Sequence, residues 1–127
     1  MGSEMCIRDS HCTTLCCALL LFLIAGTAYA EPVTQSIRLK VLPDKVEEFE
    51  ALVAQLVRDV YANEPGVQFY EVRRVQDQPL TYVYFLSFED QAAFDRYSAA
   101  DWHRQMSPKA VACLDGNPVF ENLESFY

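Results

Sequence analysis

His103 is the one histidine beyond residue 30. It is also the one side chain there whose ordinary pKa suits a proton acceptor near neutrality. A base of this kind works only if neighbours hold a ligand within hydrogen-bond reach. Tyrosines are the side chains suited to that, because each presents an apolar ring with one polar atom at its tip. Tyr70, Tyr82 and Tyr84 fall in two apolar stretches, and Tyr97 lies six residues before His103. Trp102, next to the histidine, is placed to close a pocket mouth. Arg38, among apolar neighbours, offers a fixed positive charge for an anionic oxygen. Arg73 and Arg74 are adjacent, so at most one of them faces a cavity. Every one of these has a plainer alternative: a surface or capping histidine, tyrosines and a tryptophan that simply pack, an arginine on a solvated face or in an ion pair.

Metal chemistry has no signature here. Beyond residue 30 there is one His and one Cys, with no His-x-x-x-His or Cys-x-x-Cys pair. No glycine-rich phosphate loop and no serine elbow motif occurs. That pattern suits chemistry without a cofactor, and equally suits no chemistry.

The elements that must position these side chains follow from periodicity. Ser36 to Leu42 alternates Ile37, Leu39 and Val41 against Arg38 and Lys40, which predicts a half-buried strand. Pro43-Asp44 stops it, and Asp44 with Glu47 three residues on forms a capping-box pattern. Val46, Phe49, Leu52, Val53, Leu56, Val57, Val60 and Tyr61 then recur at helical spacing, ending at Asn63-Glu64-Pro65-Gly66. Val67 to Val75 predicts a second strand and Leu80 to Phe88 a third, joined as a hairpin through Asp77-Gln78-Pro79. Glu89-Asp90 begins a second helix. Asp101 is placed to cap a short helical segment, Trp102 to Met106, which Ser107-Pro108 restarts through Cys113. Val119 to Phe126 predicts the last strand. Strand, helix, strand, strand, helix, strand is the ferredoxin-like βαββαβ plan, an α+β fold with an antiparallel sheet.

The start of the chain reads as a leader. Leu15 to Ala28 is an apolar run, and Thr27-Ala28-Tyr29-Ala30 before Glu31-Pro32 fits a signal-peptidase site. The run is shorter than the ~20 residues that span a bilayer. Residues 1–30 are therefore expected to be a signal peptide, with an uncleaved anchor as the alternative. Met1 to Ser10, with one cation and two acids, is odd for such a leader and resembles a vector or assembly scar. Residues 31–127 form one small domain, periplasmic or secreted, with no stable membrane insertion after cleavage. They carry nine basic and sixteen acidic side chains, a net charge of −7, and no basic cluster. Binding to nucleic acid is thereby disfavoured, as is tight docking on anionic lipid. Cleavage removes four cysteines and leaves Cys113, so no intrachain disulfide forms; a buried small hydrophobe is its simplest reading.

Leu80 to Phe88 raises a question of cover. One register carries Leu80, Tyr82, Tyr84, Leu86 and Phe88; the other carries Thr81, Val83, Phe85 and Ser87. Both are largely apolar, yet the plan supplies helices for one side of the sheet only. The aromatic-rich Tyr82–Tyr84 flank is expected to be the uncovered one, shielded by a second copy packed sheet face to sheet face, with a C-terminal strand or loop folded over it as the alternative.

Four stretches in this order, SIRLKVLPDKVEEFEALV, NEPGVQFYEVRR, TYVYFLSFEDQAAFDRYSAADWH and PVFENLESF, span nearly all of residues 31–127. The Glu64-Pro65-Gly66 turn and the Phe88-Glu89-Asp90 step into AAFDRY are the most specific. Together they resemble the antibiotic biosynthesis monooxygenase family, dimeric α+β barrels that include quinol monooxygenases. The resemblance implies a homodimer with two internal cavities. It also implies oxygenation of a small aromatic or quinol-type compound without metal, flavin or other cofactor. It extends to relatives that degrade haem or isomerise small metabolites, and to members with no known activity. A non-catalytic hydrophobic small-molecule binder and a small-metabolite isomerase therefore stay open. The chain departs from the family where Phe88 replaces a frequent Trp and Tyr97 a frequent His. The first-strand Asn of the haem degraders has an apolar counterpart around Ile37. On this resemblance His103 is the expected base, and Arg38, Tyr70, Tyr82, Tyr84, Phe88, Tyr97 and Trp102 are the expected substrate contacts.

Overall fold

The computed structural model describes residues 30–127. The expected leader, apart from Ala30, lies outside them. Strand β1 (Val33–Lys40) leads through a 3-10 turn (Pro43–Lys45) into helix α1 (Val46–Asn63). Strands β2 (Val67–Arg74) and β3 (Thr81–Phe88) follow, then helices α2 (Gln91–Ala99) and α3 (Asp101–Val111), then strand β4 (Val119–Leu123). The four strands form one antiparallel sheet in the order β2-β3-β1-β4. This is the expected α+β ferredoxin-like arrangement, with the second helical unit bent into α2 and α3. Among the described residues no helix is long and apolar enough to cross a membrane.

Local chemistry accounts for most boundaries. Helix α1 buries Phe49, Leu56 and Val60, spaced seven and four residues apart on one face. The Asp90 side chain caps α2 by accepting from the Ala93 amide at 2.7 Å. The capping box at Asp44 does not form. Pro43–Lys45 coils into a 3-10 turn instead, and α1 begins without a side-chain cap. Glu47 and Glu48 still place negative charge in its first turn, where the helix dipole favours it. Asp101 is likewise no cap: it lies inside the first turn of α3 after Ala100. Helix α3 runs unbroken through Pro108 rather than restarting there. Strand β1 begins at Val33, three residues before the expected start. It lies between β3 and β4, so the backbone of Thr34-Gln35-Ser36 is paired on both sides. Strand β4 stops at Leu123, short of Phe126. In its register Ser125 would face Pro32, which has no N–H to donate.

The faces of β3 are opposite to expectation. Tyr82, Tyr84, Leu86 and Phe88 point under the helices and are 4%, 7%, 1% and 0% exposed. Phe49 of α1 packs on both Tyr82 and Tyr84, with ring centroids 5.0 and 6.5 Å away. The chain itself therefore seals the flank that was expected to need a second copy. The sheet face away from the helices carries Val83 and Phe85 of β3 instead. Phe85 is 44% exposed and stacks on Phe69 of β2 at 4.9 Å. The larger aromatic set is buried because ring area removed from water is the greater favourable term.

Gly66 fixes how α2 meets the sheet. Its carbonyl accepts from the Glu89 amide at 2.8 Å, and a Cβ built there would lie 2.5 Å from the Cβ of Ala93. Both contacts are backbone-anchored, so neither yields cheaply. Gly66→Ala is expected to destabilise the fold by about 1–3 kcal/mol, the usual cost of overpacking. Thermal or urea unfolding reads this directly, and an unchanged midpoint contradicts the close approach.

Candidate functional site

A cavity of about 280 Å³ opens between the sheet and the helices, lined by 21 residues of which none is charged. Its size is near the lower end of the ~300–1,000 Å³ typical of ligand pockets, enough for one or two fused rings. Ile37 and Leu39 of β1, Tyr70 of β2, and Tyr84 and Leu86 of β3 make the floor. Phe49, Leu52 and Leu56 of α1 form one wall; Phe94, Tyr97, His103 and Met106 of α2 and α3 form the other.

Polar groups cluster at one end. The Tyr70 and Tyr97 hydroxyls meet at 2.7 Å inside the core, so one donates to the other and one proton is left over. Burial pushes the Tyr97 phenol up to about 12 and the Tyr70 and Tyr84 phenols well above their ordinary value. All three stay protonated at neutral pH, and the Tyr70–Tyr97 pair keeps one free proton to donate. His103 packs against Tyr97, ring centroids 4.3 Å apart. Its Nδ1 is shut away from solvent with no hydrogen-bond partner. Desolvation lowers the His103 pKa, partly offset by the Ser98 backbone and the charge of Glu64.

That shift fixes a pH dependence. The native state resists protonating His103 below the ordinary value of about 6.5, whereas the unfolded chain does not. Between the lowered native pKa and 6.5 the unfolded state holds more protons, so this contribution to stability is present above 6.5 and lost as pH falls. An imidazole NMR titration should give a midpoint below 6.5. A midpoint at or above 6.5 contradicts the buried placement.

Four of the expected contacts lie outside the lining. Arg38 sits on the opposite sheet face, because it alternates with Ile37 and Leu39, and it donates to Gln78 Oε1 at 3.2 Å. Tyr82 lies at the far end of β3, where its hydroxyl donates to Glu50 Oε1 at 2.6 Å. Arg74 pairs with the same carboxylate and lies over the Tyr82 ring. Hydrogen bonds from Tyr82 and then Arg74 hold the Glu50 carboxyl below its usual range. Phe88 is fully buried behind Tyr97, stacked at 4.9 Å. Trp102 supports His103 from outside, 5.8 Å away edge-on, and its Nε1 donates to Glu64 Oε1 at 3.3 Å. Cys113 is a buried free thiol outside the cavity lining. Among the described residues no group of three acidic, His or Cys side chains is placed to hold a metal.

Sequence reasoning missed Gln35, Phe94 and Met106 as cavity residues. Met106 read only as the end of a short helical segment, and Phe94 only as part of the second helix. Gln35 lay outside the predicted strand, so its face was undefined.

The fold recurs among solved structures. A Caulobacter crescentus protein named as a candidate antibiotic biosynthesis monooxygenase aligns at a TM-score of 0.72 and 25% identity, over 78% of this chain and 93% of its own. SnoaB, a cofactor-independent oxygenase from Streptomyces nogalater, aligns at a TM-score of 0.63 and 23% identity, over 76% and 96%. A Mycobacterium tuberculosis protein aligns at 0.69 and 18%, over 76% and 97%. No curated protein matches the chain. The family model for antibiotic biosynthesis monooxygenases matches residues 32–109, from the start of β1 through most of α3. With that match covering more than half of the sequence and the same fold in its structural relatives, the chain belongs to the antibiotic biosynthesis monooxygenase family.

Proposed function

We propose that the protein is a cofactor-independent monooxygenase acting on a small aromatic or quinol-type substrate in the cavity. The observation that carries this reading is the neutral imidazole of His103 set beside the Tyr70–Tyr97 hydroxyl pair in an uncharged chamber. The His103 imidazole takes a phenolic proton, and the free hydroxyl proton of the Tyr70–Tyr97 pair is donated to the oxyanion that forms. The electron-rich anion reduces dioxygen itself. One oxygen atom enters the ring and the other leaves as water, so that a dihydroxyarene and dioxygen give a hydroxyquinone and water. All four electrons that reduce dioxygen come from the substrate, two in the oxygen insertion and two in the oxidation of the diol to the quinone. A dry pocket protects the anion from reprotonation. SnoaB, described as a cofactor-independent oxygenase, has the same fold, which supports the reading. Oxygen uptake with a panel of hydroquinones tests it; ligand binding without uptake would favour a binding protein instead.

The working form is a homodimer packed through the sheet face that carries Phe69, Val83 and Phe85. The stacked Phe69–Phe85 pair, with Phe85 exposed, and the exposed Val119 and Leu123 on the same face support this, since each aromatic ring removes roughly 150–250 Å² from water when covered. Phe85→Glu is expected to yield monomer in sedimentation at micromolar concentration; a wild-type protein that is already monomeric rejects the dimer. Export to the periplasm or exterior completes the proposal and rests on the leader sequence.

A further inference from the structure

The Tyr70–Tyr97 pair serves one end of the cavity, but a second polar group faces the other. Gln35 lines the cavity from β1. It pairs across the sheet with Leu86, and Leu86 pairs in turn with Tyr70. Gln35, Leu86 and Tyr70 therefore lie in one row perpendicular to the strands, all on the helix side. Strands are spaced ~4.8 Å apart, so the backbones of Gln35 and Tyr70 are about 10 Å apart with the apolar Leu86 between them. The Gln35 amide is held from behind: its Nε2 donates to Asn122 Oδ1 at 2.8 Å, from the residue directly opposite on β4. Among the described residues no group donates to Gln35 Oε1. One free hydroxyl proton at one end, an amide carbonyl at the other and an oily floor between them match a flat ligand with oxygens at both ends.

We propose that Gln35 is a specificity-determining residue that accepts a hydrogen bond from the second hydroxyl of a one- or two-ring para-dihydroxyarene. The idea deepens the proposed function and rests on that reading for the identity of the cavity. A carbonyl acceptor also discriminates by redox state. The reduced substrate offers O–H to Gln35, whereas a quinone would set oxygen lone pairs against oxygen lone pairs. The absence of any charged side chain in the lining further selects a neutral molecule over an arene carboxylate, which would lose its hydration with no cation to replace it.

The test is equilibrium binding without oxygen, so that its outcome does not depend on turnover. Trp102 is the single tryptophan and packs on His103, so its fluorescence reports occupancy. The probes are 1,4-naphthalenediol, kept reduced, and 1-naphthol, which lacks the second hydroxyl. Wild type is expected to prefer the diol by about three- to tenfold, the value of one net hydrogen bond. Gln35→Leu and the less branched Gln35→Met should erase that preference while 1-naphthol still binds, which also shows that the cavity is intact. Equal binding of both probes by wild type, equal weakening of both by the variants, or binding of neither probe overturns the proposal. A preserved preference with no oxygen uptake would leave Gln35 in this role and overturn the monooxygenase reading alone.

Discussion

His103→Gln is expected to lower kcat for oxygen consumption by about 10²–10⁴-fold, the usual contribution of a positioned base. The glutamine keeps a polar atom and much of the volume but cannot take a proton. Substrate affinity should change little, because the ring is one wall among many and the tyrosine hydroxyls remain. The pH profile separates this role from a structural one. In wild type, kcat/KM should fall as pH drops through the lowered His103 pKa, below 6.5, because the protonated ring has no lone pair to offer. In His103→Gln that acidic limb should vanish along with the rate. A variant that retains wild-type kcat, or loses rate yet keeps the same acidic limb, moves the base elsewhere. Among the described residues, the buried tyrosines are poor substitutes, since burial holds their protons at neutral pH.

Removing either member of the hydroxyl pair should be nearly as damaging. Tyr97→Phe and Tyr70→Phe are each expected to reduce kcat by about 10²-fold, at the low end for loss of a donor to a developing oxyanion. The two hydroxyls work as a unit. At 2.7 Å one orients the other, so deleting either leaves the survivor without its partner. The double variant should then be little worse than the poorer single, a non-additivity expected of groups that share one interaction. Stability should follow a different pattern. Each single variant strands a buried hydroxyl and costs about 1–3 kcal/mol, whereas the double variant strands none and should regain part of it. Oxygen uptake and urea unfolding on the three variants decide the matter. Additive rate losses would show that the hydroxyls act separately, and unchanged rates would remove the pair from the mechanism.

The sequence by itself determined the order of elements, the long helix and where the chain turns. Val46 to Tyr61 carries its apolar residues at helical spacing, Asp90 stands where its carboxylate reaches the first free amides of α2, and Asp77-Gln78-Pro79 is turn chemistry between two apolar runs. These are local properties, set by neighbours within a few residues. His103 and Cys113 were legible for the same reason: beyond residue 30 each is the one residue of its type. Tertiary structure alone decided which side chains meet in the cavity. Alternation along β3 defines two faces but not which one the helices cover. That depends on register with β1, where Ile37 meets Tyr84 and Leu39 meets Tyr82 across more than forty residues of chain. The same pairing turned Arg38 away from the cavity and brought Gln35, outside any strand that periodicity could define, onto its floor. A period of two carries no information about partners, and a one-residue slip exchanges every inward side chain for an outward one.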